Sequence, residues 1–127
     1  MPLTHYTCGA TLRIAQRALR RSPAEQHDVI FVMFPGNPGA CRFYDTFAEA
    51  LFEASEVPVV TVSHAGHATH AEARADPNVY SLAFQLRHKR GILAAVQRHH
   101  PNARLIVGGH SIGAWMALGA CAPGGFY

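Results

Sequence analysis

Short, wholly apolar runs alternate along the chain with longer stretches in which apolar residues recur every three or four positions. Val29-Ile30-Phe31-Val32-Met33-Phe34 is apolar throughout. A strand that reads this way is covered on both faces, as in a parallel sheet. Val57 to Val62 is a second β-branched run, with Pro58 tolerable at its start. Leu105-Ile106-Val107 is a third, entered from the turn His100-Pro101-Asn102. Thr7 to Ala15 predicts a weaker edge strand, and Ser22-Pro23 a turn within the polar stretch that follows.

Tyr44, Phe47, Ala48 and Leu51 fall at i, i+3, i+4 and i+7, one face of a helix. In a later helix Ser81 is the expected N-cap. Leu82, Leu86, Leu93 and Val96 form its buried stripe, and Gln85, Arg87, His88, Lys89 and Arg90 its solvent side. Ala114 to Leu118 is apolar all round, as a central buried helix is. The sequence of elements is a βαβ rhythm, which predicts an α/β fold with a mostly parallel sheet and right-handed crossovers. With no repeat, low-complexity tract or long linker, residues 1–127 read as part of one domain.

Ligands of such sheets sit beyond the carboxyl ends of the strands. Three loops fall there: 35–39, 63–70 and 108–113. The last contains Gly109-His110-Ser111-Ile112-Gly113. A Gly-x-Ser-x-Gly match arises by chance in roughly one chain in 25 of this length, so the context decides. An apolar strand precedes the motif and an apolar helix follows it, the setting in which a serine is held on a tight turn as a nucleophile. Side chains at Gly109 and Gly113 would collide with neighbouring backbone. The Ile112 N–H would face a developing oxyanion from the positive end of the helix. The plainer alternative is a glycine-rich turn whose serine caps a buried helix. A second oxyanion donor is expected from the Pro35-Gly36-Asn37-Pro38-Gly39 loop. There Gly36 admits close approach, and Pro38 biases Asn37 towards an extended conformation that aims its N–H outward.

His64 and His67, with His70, lie at the same edge of the sheet and are candidates to line the pocket, as is His110. The ring of His110 is nonetheless expected to point away from Ser111. No carboxylate or cysteine joins the three loop histidines before Glu72, so no metal and no cofactor is expected. His99 and His100 suit a helix C-terminus. The sixteen residues after Ser111 contain no Asp, Glu or His, whereas the usual chain order places the acid and then the base after the nucleophile. The expectation is a truncated α/β sheet ending after the Ser111 helix, the N-terminal part of a longer hydrolase. A catalytically inactive short form, acting as an interaction module or having no function, is the alternative.

Composition narrows the choice. Apolar residues make up 49% and charged residues 15%, a globular balance. The net charge of +3 is scattered, which argues against nucleic-acid binding. No Gly-x-Gly-x-x-Gly or phosphate-loop lysine follows a strand, which argues against a nucleotide-binding domain. Three cysteines, Cys8, Cys41 and Cys121, make no disulfide or zinc framework. The N-terminus lacks a signal-peptide pattern, and no run reaches the ~18 apolar residues of a membrane helix. An intracellular, non-spanning protein is expected.

Four ordered motifs carry a family resemblance. Phe34-Pro35-Gly36-Asn37-Pro38-Gly39 with Phe43-Tyr44 and Phe47, then Ser63-His64-Ala65-Gly66-His67, resemble segments of the lipid droplet-associated hydrolase family. So do Tyr80-Ser81-Leu82 with Gln85, His88 and Lys89, and Gly109 to Ala114. The match covers the N-terminal half of a family member. Trp115 departs from the expected Tyr. The resemblance implies an α/β-hydrolase fold and a serine esterase or lipase acting on neutral lipid esters such as cholesteryl esters. It implies peripheral residence on lipid droplets and the endoplasmic reticulum. Ser111 would be the nucleophile, and Asn37 and Ile112 would supply the oxyanion hole. The family's Asp, His and droplet-binding insertion have no counterpart in these residues, and a chain lacking the droplet-binding part would be cytosolic.

Overall fold

The computed structural model describes residues 3–4, 12–15, 28–66 and 81–123. Five strands form one sheet: β1 (Leu3–Thr4), β2 (Leu12–Ala15), β3 (Val29–Phe34), β4 (Val59–Val62) and β5 (Arg104–Gly109), in the spatial order β1-β2-β4-β3-β5. Strand β3 runs parallel to both β4 and β5, while β2 and β1 add antiparallel neighbours on the β4 side. Three helices complete the chain: α1 (Asp45–Ser55), α2 (Leu82–His99) and α3 (Ile112–Cys121). A short 3₁₀ turn, Cys41–Tyr44, leads into α1.

The unbroken apolar run of β3 follows from its two covered faces. On one, Ile30, Val32 and Phe34 join Val60 and Val62 of β4 against Leu86, Ile92 and Val96 of α2 and Met116 and Ala117 of α3. On the other, Phe31 and Val59 pack on Ala48, Leu51 and Phe52 of α1. Each such side chain fully withdrawn from water stabilises the fold by roughly 1.5–3 kcal/mol. Helix α1 stops on Glu56, a left-handed residue (φ 58°) whose N–H donates to the Phe52 carbonyl at 2.6 Å.

Several sequence expectations shift. The N-terminal strand is not at the edge, because β1 pairs outside it. Strand β4 begins at Val59, after Pro58, which has no N–H and offers only its carbonyl, to the Phe31 N–H at 2.9 Å. Strand β5 continues through Gly108 and Gly109, in register with Met33 and Phe34. Ser81 caps α2 as expected, accepting from the Phe84 N–H at 3.1 Å. Leu82 is 44% exposed rather than buried, whereas Gln85 and Lys89, expected to face solvent, are buried. Helix α3 is not enclosed on every side. Leu118 of α3 is 68% exposed, and on β5 Ile106, in register with Phe31 on the α1 face, is 52% exposed. Among the described residues β5 pairs only with β3, so this edge of the sheet is open.

Candidate functional site

Ser111 is the hinge between β5 and α3. Its backbone has φ 56° and ψ −122°, a conformation that costs a non-glycine residue about 1–3 kcal/mol. Its surroundings over-determine the turn. A Cβ on Gly109 would overlap the Gly113 carbonyl group and the Ala114 nitrogen, and one on Gly113 would overlap the Phe34 and Pro35 carbonyl oxygens. The collisions expected at both glycines are therefore with backbone, as their spacing implied. The His110 N–H donates to the Phe34 carbonyl at 3.1 Å, and the Gly113 and Ala114 N–H groups close the first turn of α3 on His110 and Ser111, each at 2.9 Å.

The two readings of the serine can be separated by what its hydroxyl does. Ser81, a capping serine, accepts a helix N–H. Ser111 stands at the N-cap of α3 but makes no side-chain cap bond. It is exposed and opens into a cavity of about 320 Å³ lined by Asn37, His64, Leu82, Gln85, Ile112 and Met116 as well. The Ile112 N–H opens α3 and lies at the positive end of the helix. An exposed hydroxyl beside such an amide is what addition to an electrophilic carbonyl requires. Leu82 and Met116 give the cavity an apolar wall. Leu82 is exposed because it stands there.

The loop that brings His64 to the cavity is held from both ends. The Cys41 N–H donates to Ser63 Oγ at 2.9 Å, and the His64 N–H to the Gly39 carbonyl at 2.8 Å. On the other side Gln85 grips Ala65 twice. Its Oε1 accepts the Ala65 N–H at 3.1 Å and its Nε2 donates to the Ala65 carbonyl at 2.8 Å. Lys89 Nζ, 6.0 Å from the centre of the Phe34 ring, donates to Gln85 Oε1 at 3.0 Å and to His88 Nδ1 at 3.0 Å. Sequence reasoning missed this strut. The available signal was that Gln85 and Lys89 continue the Ile92–Val96 stripe at helical spacing.

Burial, with smaller contributions from Lys89 and His64, lowers the His88 pKa to about 3. His100 is lowered in the same way, by burial and then by His99. Both rings fold neutral, whereas the unfolded chain takes up protons near pH 6.5. Stability is therefore full above about pH 6.5 and is lost as the pH falls towards 3. The expected loss is about 1 kcal/mol per pH unit. Denaturant unfolding between pH 7 and pH 4 measures it, and His88→Gln is expected to flatten the slope; an unchanged slope in that variant would count against the assignment.

Not every predicted residue reaches the cavity. His64 does. His110 does not: its Nδ1 lies 3.1 Å from the Tyr44 hydroxyl instead. Its ring is engaged on the Tyr44 side, away from the lining. His67 and His70 lie outside the described residues. Among the described residues no three His, Cys, Asp or Glu side chains are placed to hold a metal ion, and no helix is long and apolar enough to cross a membrane. Cys41 and Cys121 are free thiols. A larger concavity of about 590 Å³, lined by Val107, Ala114, Ala117, Leu118 and Cys121 among others, lies along the open side of β5 and α3 and is apolar.

Fold and site together define an α/β protein with a serine on a strained strand-to-helix turn beside a polar-and-apolar cavity. Residues 27–122 match the family described as lipid-droplet associated hydrolase, and the chain belongs to that family. Similar curated proteins are each named lipid droplet-associated hydrolase. The human protein is 37% identical over 105 residues, covering 71% of this chain and 31% of its own length. That of Drosophila melanogaster is 35% identical over 99 residues (70% and 31%), and that of mouse 33% over 115 (78% and 34%). The chain thus spans about a third of the length of these relatives.

Proposed function

We propose that the chain carries the nucleophile side of an α/β-hydrolase, a serine esterase or lipase acting on neutral lipid esters at the lipid droplet surface. The observation that carries this reading is Ser111: positive φ, a hydroxyl unused as a cap, and a cavity shared with Asn37 and Ile112. In this mechanism Ser111 Oγ bonds to the ester carbonyl carbon and gives its proton to a base. The carbonyl oxygen becomes an oxyanion received by the Asn37 and Ile112 N–H groups. Collapse breaks the bond to the alcohol, which leaves with a proton. Water then attacks the acyl-enzyme and releases the acid. The name shared by the relatives, lipid droplet-associated hydrolase, supports the droplet as the site of action, and peripheral contact with the endoplasmic reticulum membrane belongs to the same proposal.

On this reading residues 1–127 form the N-terminal part of a single α/β-hydrolase domain. The open side of β5 and the greater length of the relatives support it. The base and its orienting acid would come from the remainder of such a domain. In a protein containing this segment and that remainder, a fluorophosphonate probe is expected to label Ser111. Ser111→Ala is expected to abolish labelling and lower ester turnover by about 10⁴- to 10⁶-fold. Labelling that persists in Ser111→Ala would overturn the assignment.

A further inference from the structure

His110 fills the variable place beside Ser111, and the mechanism above leaves it without a task. Its contacts supply one. His110 Nδ1 lies 3.1 Å from the hydroxyl of Tyr44, 66 positions away in sequence, and that hydroxyl accepts the Gly36 N–H at 2.8 Å. The Tyr44 hydroxyl carries one proton and two lone pairs, so it can accept from Gly36 and at the same time pair with His110 Nδ1. One oxygen atom thus joins the turn after β3, the short helix before α1 and the turn before α3.

The packing matches the hydrogen bonds. Gly36 is buried, and a Cβ there would lie 2.8 Å from His110 Nδ1 and 3.3 Å from the His110 carbonyl oxygen. The imidazole therefore rests directly against the Gly36 backbone. The next residue is Asn37, exposed at the cavity mouth. The anchors flanking it are the Gly36 N–H, held by Tyr44, and the Gly39 carbonyl, held by the His64 N–H.

We propose that Tyr44 and His110 are positioning residues that hold the Gly36–Asn37 turn at a fixed distance from Ser111. The Asn37 and Ile112 amides then address one point in space. The catalytic consequence rests on the hydrolase reading; the positioning rests on the contacts alone. A displacement of about 1 Å in such a site costs roughly 10²-fold in rate, so an untethered Asn37 turn would be felt in the chemical step rather than in substrate binding.

Tyr44→Phe removes one oxygen atom, and His110→Asn keeps a side-chain amide able to donate or accept close to the place of Nδ1. Amide hydrogen exchange of the 127-residue chain, read by NMR, decides the positioning. In Tyr44→Phe the Gly36 amide is expected to exchange at least tenfold faster while the core amides of β3 and β5 keep their protection. His110→Ala is expected to loosen Gly36 as well, and His110→Asn to restore it. An unchanged Gly36 amide in Tyr44→Phe, or acceleration spread evenly over β3 and β5, would overturn the proposal. In a fluorophosphonate-labelled protein carrying this segment, Tyr44→Phe is expected to slow labelling 10- to 100-fold and to lower kcat with KM unchanged. Full-rate labelling with a loosened Gly36 would overturn the catalytic consequence. A parent protein that is never labelled, with a Gly36 amide that responds as expected, would sink the hydrolase reading and leave the positioning intact.

Discussion

Gly113→Ala is expected to cost at least about 3 kcal/mol of folding stability, a large share of the 5–15 kcal/mol that domains possess. The added methyl would overlap the carbonyl oxygens of Phe34 and Pro35. Those atoms are backbone and cannot rotate aside. Relief would require separating the first turn of α3 from the end of β3, which would break the His110 N–H bond to Phe34 and open the core around Phe34, Met116 and Ala117. Gly91→Ala is the matched comparison. It lies on the exposed side of α2 with nothing within 4 Å of its would-be Cβ, so there the substitution should stabilise by about 0.5–1 kcal/mol through helix propensity. Denaturant midpoints of the two variants should move in opposite directions. A Gly113→Ala protein as stable as its parent would mean that α3 does not dock against β3 as described.

The same glycine illustrates what could be read without coordinates. A tight turn between an apolar strand and an apolar helix demands small residues on either side of its apex, so Gly109 and Gly113 carried their geometry in their spacing. The β3 run was legible for a similar reason: a strand flanked by helices on both faces has no place for a polar side chain. The Ser81 cap was legible because capping is local, three residues from donor to acceptor.

Contacts that depend on distant chain segments were not legible. Gln85 and Lys89 are polar residues on a helix, and solvent is their usual destination. What draws Gln85 inward is the Ala65 backbone, twenty positions away, whose amide and carbonyl turn towards α2, and Lys89 in turn donates to Gln85. Leu82 erred the other way, because an apolar residue on the core stripe was assigned to the core when it stands at the rim of a cavity. Nor did the apolar reading of α3 and β5 show which of their residues stay exposed: among the described residues β5 pairs only with β3, and Ile106 and Leu118 remain open to solvent. The site shows the same division: the Ser111 turn was readable, while the Tyr44–His110 tether joins segments 66 residues apart.

Gln85→Leu is expected to destabilise the chain by about 3 kcal/mol, and Lys89→Met by much less. Gln85 is 3% exposed, and its side chain serves the Ala65 N–H, the Ala65 carbonyl and Lys89 Nζ. Leucine keeps the volume but deprives two buried backbone groups of their partner, at about 1–3 kcal/mol each, and takes a hydrogen bond from a buried cation besides. Lys89→Met retains the stem against the core and removes a charge that is costly to bury, while Gln85 keeps both bonds to Ala65. Some of the loss is therefore offset. The two changes should be strongly non-additive. In the double variant the buried cation from which Gln85→Leu takes a hydrogen bond is absent, so a cycle should return a coupling of roughly 1 kcal/mol or more. Because the Ala65 clamp sets the loop carrying His64, Gln85→Leu should also raise amide exchange at residues 63–66 more than in β3. Equal losses from the two single variants, or simple additivity, would mean that Lys89 acts on the fold through the packing of its stem rather than through Gln85.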